Sequence, residues 1–167
     1  LRLMSWLIFE DRTEGAAALI VAGTGFLLAG ALIMEHIFMM DPCPLCLMQR
    51  VWFAIAGLLA LAALIHSTRW GIYPLLTICA ALVGGGFSIR QLWLQSLPED
   101  QVPACGPGMD YMLENFPLGD VLAAMTQGTC DCAQVAWQFG LTIPGWSLVG
   151  FIAIILVAGL QLRSALR

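Results

Sequence analysis

Long apolar runs alternate with short polar interruptions along the chain, and four of the runs approach the length of about 20 residues that an α-helix needs to span a bilayer. They predict helices at about 16–40, 45–65, 70–95 and 143–163. Between the last two runs, at about 96–142, polar residues and prolines predict a long loop. The pattern indicates an all-α integral membrane protein, a four-transmembrane-helix bundle that forms one membrane domain over 1–167.

Two further helices are expected at a membrane surface. In the loop, 109–116 has apolar residues at helical spacing, which is typical of a short helix lying on the bilayer. The segment 1–15 carries Trp6 and Phe9 among scattered charges, so we expect a separate interfacial helix there. The apolar run that follows is too long for a signal peptide, and we expect it to be retained as the first span.

Composition supports the membrane assignment. Of the 167 residues, 60% are hydrophobic and 11% are charged, with a mean hydropathy of +0.86. These values exclude an ordinary soluble domain. The formal net charge of -4 argues against a nucleic-acid partner.

The arginines predict the orientation of the bundle, because cytoplasmic loops of membrane proteins are enriched in positive charge. Lysine is absent, and most arginines fall at the two ends or in the short second connection: Arg2, Arg12, Arg69, Arg163 and Arg167. Both termini are therefore predicted to be cytoplasmic. The long loop and five of the six cysteines then lie on the opposite side, where disulfides persist.

A two-cysteine motif stands where the first apolar run gives way to the second. Cys43 and Cys46 are separated by two residues, and Pro42 and Pro44 restrict the backbone around Cys43. Cys46 falls in the first turn of a predicted helix, and Arg50 follows on the same helix face. Both features favour a reactive Cys46 thiolate. The alternative for Arg50 is a side chain that extends to the interface.

The remaining cysteines allow several interpretations. A structural zinc would need further ligands beside the motif, and the candidates His36, Cys130 and Cys132 are upstream or distant, so we expect no metal. In the loop, a bridge from Cys105 to Cys132 or Cys130 would be either structural or redox-active. The two-cysteine motif on the same side of the membrane favours exchange between two dithiol pairs. Cys79 lies in a span and is predicted to be an inert core thiol.

The roles of three other residues are ambiguous. Glu35 and His36 end the first span, where they are either solvated or able to relay protons. Trp93, near the outer end of the third span, is either an interfacial aromatic or a wall of the site.

Four motifs together resemble the DsbB family of bacterial inner-membrane disulfide bond formation proteins. They are Pro-Cys-x-x-Cys with the following arginine at 42–50, Leu-Pro-x-x-x-Val-Pro-Ala-Cys-Gly-Pro at 97–107, Asp-Cys-Ala-x-x-x-Trp at 131–137 and Ile-Pro-x-Trp at 143–146. The resemblance covers nearly the whole chain. It implies an enzyme of the inner membrane, with a periplasmic active site, that reoxidises a DsbA-type thioredoxin-fold protein and reduces membrane quinone, ubiquinone or menaquinone.

The resemblance also assigns roles to residues. It implies a loop disulfide between Cys105 and Cys132, with Cys105 attacked by DsbA, and a membrane-proximal pair of Cys43 and Cys46. Cys46 would face the quinone, with Arg50 in support. We add Trp93 and Ser96 as quinone contacts.

The chain departs from the family at two positions. Cys130 is an additional cysteine that this pairing leaves as an unpaired thiol, and Ser96 stands where many members have histidine.

Two rival classes share part of this pattern. A vitamin K epoxide reductase-like enzyme also combines four helices, a two-cysteine motif and loop cysteines, but the order of the motif and loop cysteines here is that of DsbB. A claudin-like structural protein would use its loop disulfide only as a brace, and such a brace does not require Cys43 and Cys46 beside Arg50.

Overall fold

The computed structural model describes the backbone of residues 2–166 and the side chains of residues 12–166. Its elements in chain order are α1 (Arg2–His36), α2 (Pro44–His66), α3 (Ile72–Gln95), a 3-10 turn (Glu99–Gln101), α4 (Met109–Asn115), α5 (Leu118–Gln127), α6 (Cys130–Ala133), β1 (Gln138–Phe139), β2 (Leu141–Thr142) and α7 (Ile143–Ala165). Within the described part, α1, α2, α3 and α7 are long and apolar enough to span a membrane. The predicted helical membrane fold is confirmed.

The first helix differs from its prediction at both ends. It is continuous from Arg2, so no separate surface helix precedes the span; the side chains of Trp6 and Phe9 lie outside the described residues. It ends at His36 rather than near 40, and Met39 adopts a positive φ of 51° in the turn that follows. The chain then runs extended into Pro44, where α2 begins.

The four long helices form a ring in which α1 packs on α2, α2 on α3, α3 on α7 and α7 on α1. At the centre, Phe53 stacks on Phe151 with ring centroids 3.9 Å apart. Gly84 lies directly against the Phe151 ring, and a Cβ there would also be 2.9 Å from the Cβ of Trp52. Small residues such as Ala56 complete this core and let the helices approach closely.

The outer faces of the bundle are apolar. Large hydrophobic side chains on all four long helices are exposed, including Phe26, Leu58, Leu82 and Leu156. A water-soluble bundle would bury such residues, whereas lipid solvates them.

The long connection between α3 and α7 contains more structure than the sequence indicated. The predicted surface helix is α4, but α5 and α6 follow it, and α5 packs against α2 while α6 packs against α3. The strands β1 and β2 form a minimal antiparallel hairpin around Gly140, whose φ is 71°. The loop thus folds onto one end of the bundle and brings α6 to the start of α2.

Candidate functional site

Cys43 caps the amino end of α2. Its sulfur accepts a hydrogen bond from the Cys46 backbone N–H at 3.4 Å, and Pro44 occupies the first turn, where its missing N–H is not needed. This cap turns the two side chains toward each other, with their Sγ atoms 2.9 Å apart as thiols. The two thiols are therefore in close contact at a helix start, in the position to form a disulfide.

Two glutamines support this pair. The Gln91 side-chain amide donates to the sulfurs of both Cys43 and Cys46, each at 3.3 Å. Gln49 donates to Gln91 Oε1 at 2.7 Å, which orients the Gln91 amide with its NH₂ toward the sulfurs. Both glutamines are almost fully buried, so this network lies in a low-dielectric environment, where hydrogen bonds to sulfur anions are stronger than in water.

Cys132 is the third sulfur of the site. It is 0% exposed, free, and in contact with Cys43 through a thiol–thiol hydrogen bond. This hydrogen bond lowers the pKa of Cys132 to about 7 although burial opposes the shift, and it raises the pKa of Cys43. Of these two thiols, Cys132 is therefore the one that ionises first, while Cys43 keeps its proton.

The helix α6 that carries Cys132 is held in place from both sides. Arg90 donates to Gln127 O at 3.3 Å before α6, and Gln95 donates to Gln134 O at 3.5 Å after it. Gly128, with a φ of 84°, allows the backbone to approach α2 and α3, since a Cβ there would lie 2.7 Å from a methyl group of Leu94. The approach brings Cys132 to the amino end of α2.

The loop disulfide joins Cys105 to Cys130, with Cα atoms 4.8 Å apart. The resemblance had implied Cys105 with Cys132 and an unpaired Cys130, and both expectations are wrong for this structure. The reason is location: Cys132 is enclosed between α2 and α3 beside Cys43, whereas Cys105 is exposed in the loop. Cys130, two residues earlier, reaches Cys105 instead.

Arg50 has a different partner from the one predicted. Its guanidinium pairs with the Glu35 carboxylate of α1 and also donates to Ala31 O at 3.2 Å. The predicted contact with the Cys46 thiolate is thus replaced by an ion pair between helices. Glu35 and Arg50 shield each other's charge inside the bundle, and the interpretation of Glu35 as a solvated end residue is wrong.

A cavity of about 1000 Å³ opens beside the two-cysteine pair. Cys43, Cys46 and Arg50 line it, together with the indole rings of Trp137 and Trp146. Trp146 is fixed by a hydrogen bond from its Nε1 to Phe139 O at 3.1 Å. The cavity therefore offers an apolar, aromatic enclosure with the sulfurs at its wall.

Trp93 and Ser96 do not belong to the lining of this cavity. Trp93 is exposed and lies under the Arg90 guanidinium, 4.4 Å from its ring centroid, and Ser96 donates to Trp93 O. Helix register explains the correction: Trp93 is two residues from Gln91, a rotation of about 200°, so it faces away from α2.

Gln91 and Gln95 are the residues of α3 that line the cavity instead. They are one turn apart on the face of α3 that lines the cavity, with Ser88 buried one turn before Gln91. A polar stripe at helical spacing inside an apolar span was the signal that could have identified them. Cys79, expected in the core, is instead exposed on the outside of α3.

Chemically, the site combines a pair of thiols that can form a disulfide, a buried third thiol in contact with that pair, and a disulfide in the loop. Thiolate attack on a disulfide sulfur requires such contacts and no other reagent. The arrangement suits transfer of disulfides by exchange.

Comparison with known proteins gives a consistent result. The family model described as disulfide bond formation protein DsbB matches residues 13–161. Disulfide bond formation protein B of Marinobacter nauticus is 52% identical over 150 residues, which cover 87% of either chain. The protein of that name in Hahella chejuensis is 51% identical (75% of this chain and 79% of that one), and disulfide bond formation protein B 1 of Pseudomonas aeruginosa is 44% identical (76% and 80%). No solved structure matches.

Proposed function

Because the chain belongs to the DsbB family of disulfide bond formation proteins, we propose that it is a protein-dithiol:quinone oxidoreductase. It takes two electrons from the dithiol of a DsbA-type thioredoxin-fold protein and delivers them to membrane quinone, generating disulfides de novo. The observation that carries this proposal is the contact of the buried Cys132 with Cys43, within a loop that also holds a disulfide.

Electrons enter at Cys105. It is exposed, in a segment without helix or strand that has Pro103 and Pro107 on either side, so a protein dithiol has access to the disulfide. Attack on the Cys105 sulfur forms a mixed disulfide with the partner, and the partner's second thiol releases it oxidised. The loop cysteines are left reduced.

Cys132 then passes the electrons to the pair at α2. The Cys132 sulfur lies against Cys43, so its thiolate can attack Cys43 in the Cys43–Cys46 disulfide, which forms a Cys43–Cys132 bond and releases Cys46 as the leaving thiolate. A second reduced loop cysteine then attacks Cys132 and releases Cys43, so that both members of the pair are reduced. The Gln91 amide, in contact with both sulfurs, stabilises the charge that develops there. Cys46 lines the cavity, so the electrons arrive at its wall.

The cavity fits a quinone, ubiquinone or menaquinone. Its volume accommodates a substituted ring, its aromatic lining suits a flat apolar group, and Arg50 supplies a donor at the wall. Gln95 also lines it, and its Oε1 is a buried acceptor without a partner in the described structure, as a hydroxyl of the reduced ring requires. When bound, the quinone supplies the two-electron, two-proton acceptor, and the Cys43–Cys46 disulfide is restored.

The charge distribution of the chain supports an orientation. With arginines at the termini and at the turn between α2 and α3, both termini face the cytoplasm and the long loop faces the periplasm of a bacterial inner membrane. Cys105 then meets its protein partner outside the bilayer, where disulfides are stable.

The test is quinone reduction in detergent with reduced DsbA as the electron donor, and the readout is the loss of quinone absorbance. Cys46→Ser should abolish turnover, because no thiol then faces the cavity beside Cys43. Cys79→Ser, a cysteine exposed on the outside of α3, is the matched control and should retain full activity. Normal turnover by Cys46→Ser would refute the proposed route.

A further inference from the structure

Cys130 has no role in the two-pair scheme that the family motifs imply, yet the structure makes it the partner of Cys105. The three loop cysteines thus divide between two places. Cys105 and Cys130 share a disulfide, and Cys132 lies against Cys43. A direct Cys105–Cys132 bond would require Cys132 to leave its enclosed position between Leu45 and Leu94.

We propose that Cys130 is a redox-active thiol that carries the disulfide between Cys132 and Cys105, through a transient Cys130–Cys132 bond within α6. This inference rests on the proposed function. It adds an intermediate carrier, so that Cys132 exchanges with Cys43 while remaining at the amino end of α2.

Local geometry favours the Cys130–Cys132 bond. Two helical residues at this spacing have Cα atoms about 5.4 Å apart, within the range that a disulfide spans. Their side chains point to opposite sides of a helix, so α6 must unwind for the sulfurs to meet. It has only four residues and is flanked by extended backbone at Thr129 and Gln134, so unwinding breaks few hydrogen bonds.

The exchange steps balance. After the loop has been reduced, the Cys132 thiolate attacks Cys43 of the Cys43–Cys46 disulfide, forming Cys43–Cys132 and releasing the Cys46 thiolate. Cys130 then attacks Cys132, forming Cys130–Cys132 and releasing Cys43. Finally Cys105 attacks Cys130, forming Cys105–Cys130 and releasing Cys132. Each step forms one S–S bond and breaks one, and two electrons have moved to Cys43 and Cys46.

The last state is the one that the structure presents: a Cys105–Cys130 disulfide with Cys43, Cys46 and Cys132 free. Oxidation of Cys43 and Cys46 by a quinone, which takes up the two electrons and two protons, completes the cycle. The free Cys132 is then ready to attack Cys43 again.

The test runs the relay outward, from quinone to loop. Fully reduced Cys105→Ser protein, freed of reductant, is titrated with a short-chain ubiquinone, quenched in acid, and its disulfides are mapped by mass spectrometry. Without Cys105 the relay stops at Cys130, so the variant should consume two molecules of quinone and contain Cys43–Cys46 and Cys130–Cys132. The double variant Cys105→Ser/Cys130→Ser should consume one and leave Cys132 free or bound to Cys43.

The parent protein, treated alike, should also consume two molecules of quinone and show Cys105–Cys130. One molecule consumed by Cys105→Ser, with Cys130 recovered as a thiol, would overturn the relay while leaving the proposed function intact. Mapping of Cys105–Cys132 in the oxidised parent would do the same. No quinone consumed by the parent would instead refute the proposed function itself.

Discussion

The hydrogen bond between Gln49 and Gln91 offers a quantitative test of the site. Replacing Gln91 with leucine keeps the side-chain volume but removes the donor to both cysteine sulfurs and leaves the buried Gln49 amide without its acceptor. A buried polar group that loses its partner costs about 1–3 kcal/mol. We therefore expect Gln91→Leu to lower the free energy of unfolding by that amount, and Gln49→Leu to do so for the same reason.

The double variant separates this explanation from a general intolerance of substitution. Gln49→Leu/Gln91→Leu removes both partners and leaves neither amide buried alone, so its loss of stability should be smaller than the sum of the two single losses by about 1–2 kcal/mol. The assay is reversible denaturant unfolding in detergent micelles. Gln161→Leu is the control: this glutamine is equally buried, its Nε2 has no partner among the described residues, and its replacement should cost little or nothing.

The same variants test the role of Gln91 in turnover. A hydrogen bond to a charged sulfur contributes about 1.5 kcal/mol at the weak end of its range, which corresponds to roughly tenfold in rate. Gln91→Leu should therefore slow quinone reduction about tenfold, and Gln49→Leu should slow it less because Gln91 remains. Losses in stability that add to within about 0.5 kcal/mol, with unchanged turnover, would refute the reasoning about this pair.

Three further predictions follow from other parts of the molecule. Gly84→Ala should lower the free energy of unfolding by about 1–3 kcal/mol, because the new Cβ would overlap the Phe151 ring. Gly86 has open space around it, so Gly86→Ala should be neutral or stabilising in the same denaturant unfolding assay. In the reduced protein, the Cys132 thiolate should form as the pH rises through about 7; its absorbance is identified as the part that Cys132→Ser lacks. Cys43→Ala removes the hydrogen bond that lowers this pKa, so the midpoint of the titration should rise. An unmoved midpoint would contradict the assignment. Glu35→Gln should lower the free energy of unfolding by only about 1 kcal/mol, because the side chains of Arg50 and Glu35 are 21% and 29% exposed and water screens their ion pair. The double variant Arg50→Gln/Glu35→Gln should recover part of that loss, as measured by thermal unfolding.

The spans were predictable because hydropathy alone determines which segments enter a bilayer. The bounds of α2 and α7 fell within about two residues of expectation, since Pro44 and Pro144 mark their first turns. The position of Cys43 and Cys46 followed from the same local signals. These features depend on residues that are close together in the sequence.

The partners of Arg50 and Cys105 depend on packing between distant segments. Glu35 reaches Arg50 only because α1 and α2 are adjacent at that height, and the sequence offered Cys46 as a nearer candidate. Cys130 and Cys132 are equivalent at the level of spacing, and the close approach of Gly128 to Leu94 is what separates them. Trp93 was misplaced because its role was inferred without considering which face of α3 packs on α2.

The difference in exposure among the sulfurs also determines which reductants can act on the protein. Cys132 is inaccessible and Cys43 is only 8% exposed, whereas Cys105 is open to solvent. Small soluble thiols therefore meet the loop disulfide at Cys105, whereas Cys43 is screened by burial and Cys46 is reached only from the cavity. Folding of the loop onto the bundle thus shields Cys43 and Cys132 from stray thiols and leaves Cys105 as the sulfur that a soluble reductant meets first.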